Sequence, residues 1–194
     1  MTIEQLAGWS AIVAAVATVV GAVFLGLFFS RGQPWGTWND VASIVLMLAT
    51  IPVALVIGTI LSENESTIAV AVTAVGIVGM VGAALAQVLL VARIRTYEQL
   101  LPWTLGFGAV VGLWYLKAAY LSAATSSLGQ PLPILMFLAG IGFIAIGYGF
   151  YRGGQKDPIA AIGGVVLVVA SPIFLTWLGL DLVAGRLVVP SWNA

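Results

Sequence analysis

Six long apolar stretches follow one another along the chain, divided by short polar breaks. The first runs from about Trp9 to Ser30 and stops at Arg31-Gly32-Gln33-Pro34. The second, from about Asn39 to Leu61, follows Trp35-Gly36-Thr37-Trp38, where Thr37 or Asn39 is placed to cap a helix. The third, about Ser66 to Ala92, stops at Arg93-Ile94-Arg95. The fourth opens at Pro102-Trp103, with proline suited to a first helical turn, and fades near Thr125-Ser126. The fifth follows Pro131 and ends at Tyr151-Arg152-Gly153-Gly154, and the sixth runs from Asp157-Pro158 to about Asp181. About 20 apolar residues suffice to carry a helix across a hydrocarbon core roughly 30 Å thick. The pattern therefore predicts an all-α membrane bundle of six transmembrane helices, 9–30, 39–61, 66–92, 103–125, 132–151 and 158–181. They form a single domain over residues 1–194, and breaks this short leave no room for an extramembrane domain.

Small residues recur at helical spacing inside these stretches. Ala17-xxx-Gly21, Gly79-xxx-Ala83, Gly82-xxx-Ala86, Gly108-xxx-Gly112 and Ala145-xxx-Gly149-xxx-Gly153 each offer a face on which a second helix can approach closely. In lipid, van der Waals fit replaces the hydrophobic incentive to associate. Gly76-xx-Gly79-xx-Gly82 would be a phosphate cradle only behind a strand and within a polar loop, and it has neither, so packing is the stronger reading. Pro52 and Pro172 free the carbonyls of Leu48 and Val168 and favour kinks, as in a transporter's broken helices or in ordinary membrane helices. They fall in spans two and six, which do not correspond in an inverted repeat.

Composition supports the membrane reading. Of 194 residues, 61% are hydrophobic and 7% charged, against about 25% charged in soluble domains. A net charge of zero offers no basic patch for nucleic acid. With neither cysteine nor histidine, thiol nucleophiles, disulfides, thiolate metal sites and the commonest general base are excluded. No cofactor, metal or catalytic residue is expected, and the chain reads as non-enzymatic.

Charge also sets orientation. Arg31, Arg93, Arg95, Arg152 and Lys156 fall in alternate breaks, whereas the opposite breaks and the tail hold only Arg186. By the positive-inside rule both termini are non-cytoplasmic in the cell's inner (plasma) membrane, with Trp9, Trp35, Trp38, Trp103 and Trp192 as interfacial anchors. The N-terminus lacks the basic region of a secretory signal, so the first span is expected to be retained. Asn64-Glu65-Ser66 matches a glycosylation sequon on the outer side, where chance is the better explanation.

One charge interrupts the apolar pattern. Lys117, in Gly112-Leu113-Trp114-Tyr115-Leu116-Lys117, lies about 4–5 Å beyond the middle of the fourth span. A charge near the bilayer centre costs about 2.5–3.5 kcal/mol or more. Helical side chains tilt toward their own N-terminus, so escape to the outer interface reads poorly, and the lysine is expected inside the bundle. Trp114, one turn earlier, is its expected cation–π partner, Tyr120 a hydrogen-bonding neighbour and Asp181 the best acid. Three readings stand for this polar site: Lys117 fixes helix register, which carries most weight, it handles a substrate, ion or proton, or it is a tolerated accident. A retinal Schiff base is disfavoured, since the lysine lies on the fourth span rather than the last.

Trp38-Asn39-Asp40 opening the second span and Ile51-Pro52-Val53-Ala54 within it resemble small bacterial integral membrane proteins of a domain-of-unknown-function family, as does the loop-poor six-span plan. The resemblance implies a multi-pass bacterial membrane protein and transfers no activity or site residue. The sequence thus favours an accessory, assembly or sensing subunit in the lipid bilayer, with a homo-oligomer or another membrane subunit as partner. The alternative is a small transporter working through Lys117.

Overall fold

Thr2-Ile3-Glu4-Gln5 starts the first helix with a reciprocal cap: the Thr2 hydroxyl accepts from the Gln5 N–H, and the Gln5 side chain accepts from the Thr2 N–H. In the computed structural model, which describes residues 2–187, 189 and 190, this cap opens α1 (Ile3–Arg31). Then follow α2 (Trp35–Val91), α3 (Tyr97–Thr125), α4 (Leu132–Gly153), a 3-10 turn at Gly154–Lys156, and α5 (Pro158–Val183). The described residues form helices and their connections, and five helices are long and apolar enough to cross a membrane.

The count corrects the expectation of six separate helices. The second and third expected spans belong to one 57-residue element, interrupted at Glu65 by non-helical backbone (φ −142°, ψ 59°). A straight helix of that length would extend about 85 Å, far beyond a hydrocarbon core of about 30 Å. It is not straight. A Cβ added at Gly58 would come within 3.0 Å of Thr73 Cγ2, although 15 residues of continuous helix would separate the two by about 22 Å. The two halves therefore fold back on each other as a hairpin with Glu65 at its tip. The polar break Ser62-Glu63-Asn64-Glu65 marked the join in the sequence, but it is wound into the helix ends and only Glu65 leaves helical backbone.

Helix starts also differ from expectation. α2 begins at Trp35, so Thr37 and Asn39 lie inside its first turns. Pro102 sits within α3 and not in its first turn, because a second capping box, Thr96 with Gln99, starts that helix at Tyr97.

Glycine contacts give the register of each neighbouring pair. Gly8 meets Gly179 and Val183, so α1 lies antiparallel to α5, and Gly21 meets Ala42 of α2. Gly76, Gly79 and Gly82 receive Trp114, Val110 and Phe107 in turn, which lays α3 antiparallel along the second half of α2. Gly112 meets Gly140, and Gly149 meets Ala160, ordering α3, α4 and α5 in the same way. Each helix packs against its neighbours in sequence, and α5 returns to α1. The result is a closed ring. Its core is built from Ile57, Leu61, Met80, Trp114, Tyr115, Met136, Phe174 and Leu178, all buried. Alternating helices gather Arg31, Arg93, Arg95, Arg152 and Lys156 at one end, where Asp157 caps α5 through the Ile159 N–H (2.8 Å).

Candidate functional site

Four residues carry the polar site expected from the sequence, and the structure separates them. α3 turns Trp114, Tyr115, Ala118 and Ser122 into the ring and leaves Leu113, Lys117 and Tyr120 on its outer face. Lys117 is exposed, and its Nζ lies 4.9 Å from the centre of the Tyr120 ring. Two expectations are corrected here. Lys117 does not enter the bundle, and its aromatic partner is Tyr120 rather than Trp114. The reason is geometric. Helical tilt fixes only the Cα–Cβ bond, while the four-carbon stem swings the ammonium along the outer face to the residue one turn on, Tyr120. Tyr120 meets it there with a ring face and a polar tip.

Asp181 is committed elsewhere. Its Oδ1 accepts from Arg186, at 2.6 Å from Nη2 and 2.7 Å from Nε, just beyond the end of α5. The expected Lys117–Asp181 pair is not formed. Arg186 does not stand out as a partner in the sequence, because it lies after the last apolar stretch, five residues on, in a backbone turn that starts only where α5 ends. Trp192 lies outside the described residues.

Trp114 is 2% exposed and packs against Gly76; its ring contacts Tyr115 edge-on at 4.6 Å. Tyr115 spans the ring's centre, stacked on Phe143 of α4 (5.9 Å) and edge-on to Phe174 of α5 (6.0 Å). Aromatic contacts of this geometry are worth about 0.5–1.5 kcal/mol each beyond area burial. The Trp114 Nε1 and Ser122 Oγ atoms are buried without a partner among the described residues. Elsewhere, hydroxyls in the helices return to their own backbone, as Thr18 to Ala14 O (2.9 Å) and Thr50 to Leu46 O (2.7 Å) do.

The charged groups at the basic end are ordered more tightly. Arg152 donates to Asp157 from Nε (2.8 Å) and Nη2 (3.2 Å), a bidentate pair that closes the turn between α4 and α5. Those hydrogen bonds hold the Asp157 carboxyl below the ordinary carboxylate range. Gly153 makes room for it, since a Cβ there would lie 2.7 Å from Asp157 Oδ2.

Between the last turns of α2 and the first turns of α3 the same end opens into a groove of about 490 Å³. Gly82, Leu85, Leu89, Trp103 and Phe107 line it, with Arg95 and Gln99 as its polar members. The sequence marked Arg95 as an orientation signal and Trp103 as an anchor. It did not join them, because they meet only once α2 and α3 are laid antiparallel. Among the described residues no group of acidic, histidine or cysteine side chains could hold a metal ion. No protein family, curated protein or solved structure matches the chain.

Proposed function

We propose that the chain is a non-catalytic, multi-pass protein of the cell's inner membrane that works through its outer surface as an accessory, assembly or sensing subunit. In this reading both halves of α2 cross the bilayer, so the ring crosses six times with both termini on the non-cytoplasmic side. Five of the seven basic residues then lie on the cytoplasmic face. The observation that carries the proposal is the division of α3. Its large apolar side chains, Trp114 and Tyr115, fill the ring, and its one charge within the apolar run, Lys117, faces outward.

A permeation route needs polar groups along an interior path. Lys117, Tyr120 and Asp181 do not line one. Lys117 and Tyr120 stand on the outer face of α3, and Asp181 is paired with Arg186. The prolines do not supply one either, since α2 and α5 continue helically through Pro52 and Pro172.

The test is Lys117→Met, scored for detergent stability and for proton and anion flux in liposomes. The proposal expects no flux above empty vesicles from either protein. Flux in the wild type that disappears in a stable Lys117→Met variant would establish the transport reading instead.

A further inference from the structure

The groove between α2 and α3 joins an apolar wall to an arginine without an acidic partner. Arg95 pairs with no carboxylate among the described residues, whereas Arg152 and Arg186 both do. Gln99 uses its side-chain oxygen to accept from the Thr96 N–H (3.2 Å), which leaves its amide N–H groups for another acceptor. Below this polar rim, Trp103 and Phe107 stack at 6.1 Å, and Phe107 lies over Gly82, while Leu85 is exposed. The groove thus runs from a cationic rim at the basic end of the bundle toward its apolar flank.

From this we infer that the groove holds an anionic phospholipid, its phosphate on Arg95 and Gln99 and one acyl chain along Leu85, Leu89, Trp103 and Phe107. The volume lies within the range of small-ligand pockets, about 300–1,000 Å³. An acyl chain gains little hydrophobic free energy on moving from bilayer to groove, because lipid tails are as apolar as leucine. Selection among lipids must therefore come from the headgroup. Basic pockets between transmembrane helices are suited to anionic headgroups, and one arginine near such a surface is worth about a fivefold preference. The inference rests on the membrane reading above.

The full-length protein, reconstituted in phosphatidylcholine vesicles containing phosphatidylglycerol, is extracted and the lipids it retains are counted by native mass spectrometry. Phosphatidylglycerol should be retained about fivefold over its share in the vesicle. Arg95→Gln should bring retention down to that share, Leu85→Trp should exclude the lipid by filling the groove, and Arg31→Gln, at the same end but outside the groove, should change nothing. Loss of preference in Arg31→Gln equal to that in Arg95→Gln would overturn the site in favour of a diffuse surface field. Unchanged retention in Leu85→Trp would overturn it too, as would a wild-type dimer that Leu85→Trp dissolves without changing lipid retention. A chain that never enters vesicles would refute the membrane reading itself. One that enters without lipid preference would refute only the groove.

Discussion

Replacing Lys117 by methionine should alter the stability of the bundle by less than about 1 kcal/mol. An exposed cation–π contact is worth roughly 0.5–1 kcal/mol, and removing a charge from the apolar face offsets its loss. Equilibrium unfolding in detergent measures it, and a loss of several kcal/mol would place the lysine in a buried partnership. Asp157 should behave differently. Its folded-state pKa is lowered chiefly by the Arg152 hydrogen bonds, so its stabilisation is complete above the ordinary carboxylate value of about 3.9 and fades as pH falls through the folded value. Thermal unfolding followed from about pH 7 to about pH 3 should show Asp157→Asn less stable than wild type at neutral pH. The two curves should converge at the acid end, and a constant gap would exclude the ion pair as the cause. Residue identity made Lys117 conspicuous, but the outward turn of its stem depends on side-chain torsions and a neighbour at i+3, which spacing alone does not settle. Asp181 escaped for a similar reason: its partner Arg186 comes after the apolar pattern has ended.

Helix-helix register gives element-scale expectations. Gly58→Val should drive a side chain into Thr73 and cost about 1–3 kcal/mol. Gly26→Ala, with nothing within 4 Å of the added methyl, should gain about 0.5–1 kcal/mol. Equal effects of the two in denaturant titrations would contradict the hairpin. Arg93, at φ 58° just past the α2 C-cap, occupies a left-handed position that glycine fills without strain. Arg93→Gly should therefore stabilise the protein by about 1 kcal/mol in the same titration, and destabilisation would show that the side chain holds the turn. The apolar runs and the Gly76, Gly79, Gly82 face were legible in the sequence because burial in lipid demands them. Helix starts were less so. Thr2-Ile3-Glu4-Gln5 and Thr96-Tyr97-Glu98-Gln99 both carry the Thr-x-x-Gln signature of a capping box, and both helices begin at it, ahead of the apolar run. The α2 reversal showed in the sequence as the polar break Ser62-Glu63-Asn64-Glu65, although one non-helical residue, Glu65, suffices to turn the chain.

At the scale of the whole molecule, the helices form a ring in sequence order, with α5 returned to α1 and aromatic side chains across its centre. Its two ends differ in charge, one holding Arg31, Arg93, Arg95, Arg152 and Lys156 with Asp40, Glu98 and Asp157, the other Glu4, Glu63, Glu65 and Asp181 with Arg186. That asymmetry was legible in the sequence. The groove was not, because its walls belong to two consecutive helices and face each other only once α2 and α3 are laid antiparallel. In the proposed reading α2 crosses the bilayer twice about Glu65, and a sequence without cysteine makes this directly testable. Single cysteines placed at Gln33, Glu65 and Arg95 are each labelled in intact cells with a membrane-impermeant maleimide. Label is expected at position 65 from outside, and at 33 and 95 only after the membrane is opened. Labelling of 33 and 95 from opposite sides would contradict the double crossing.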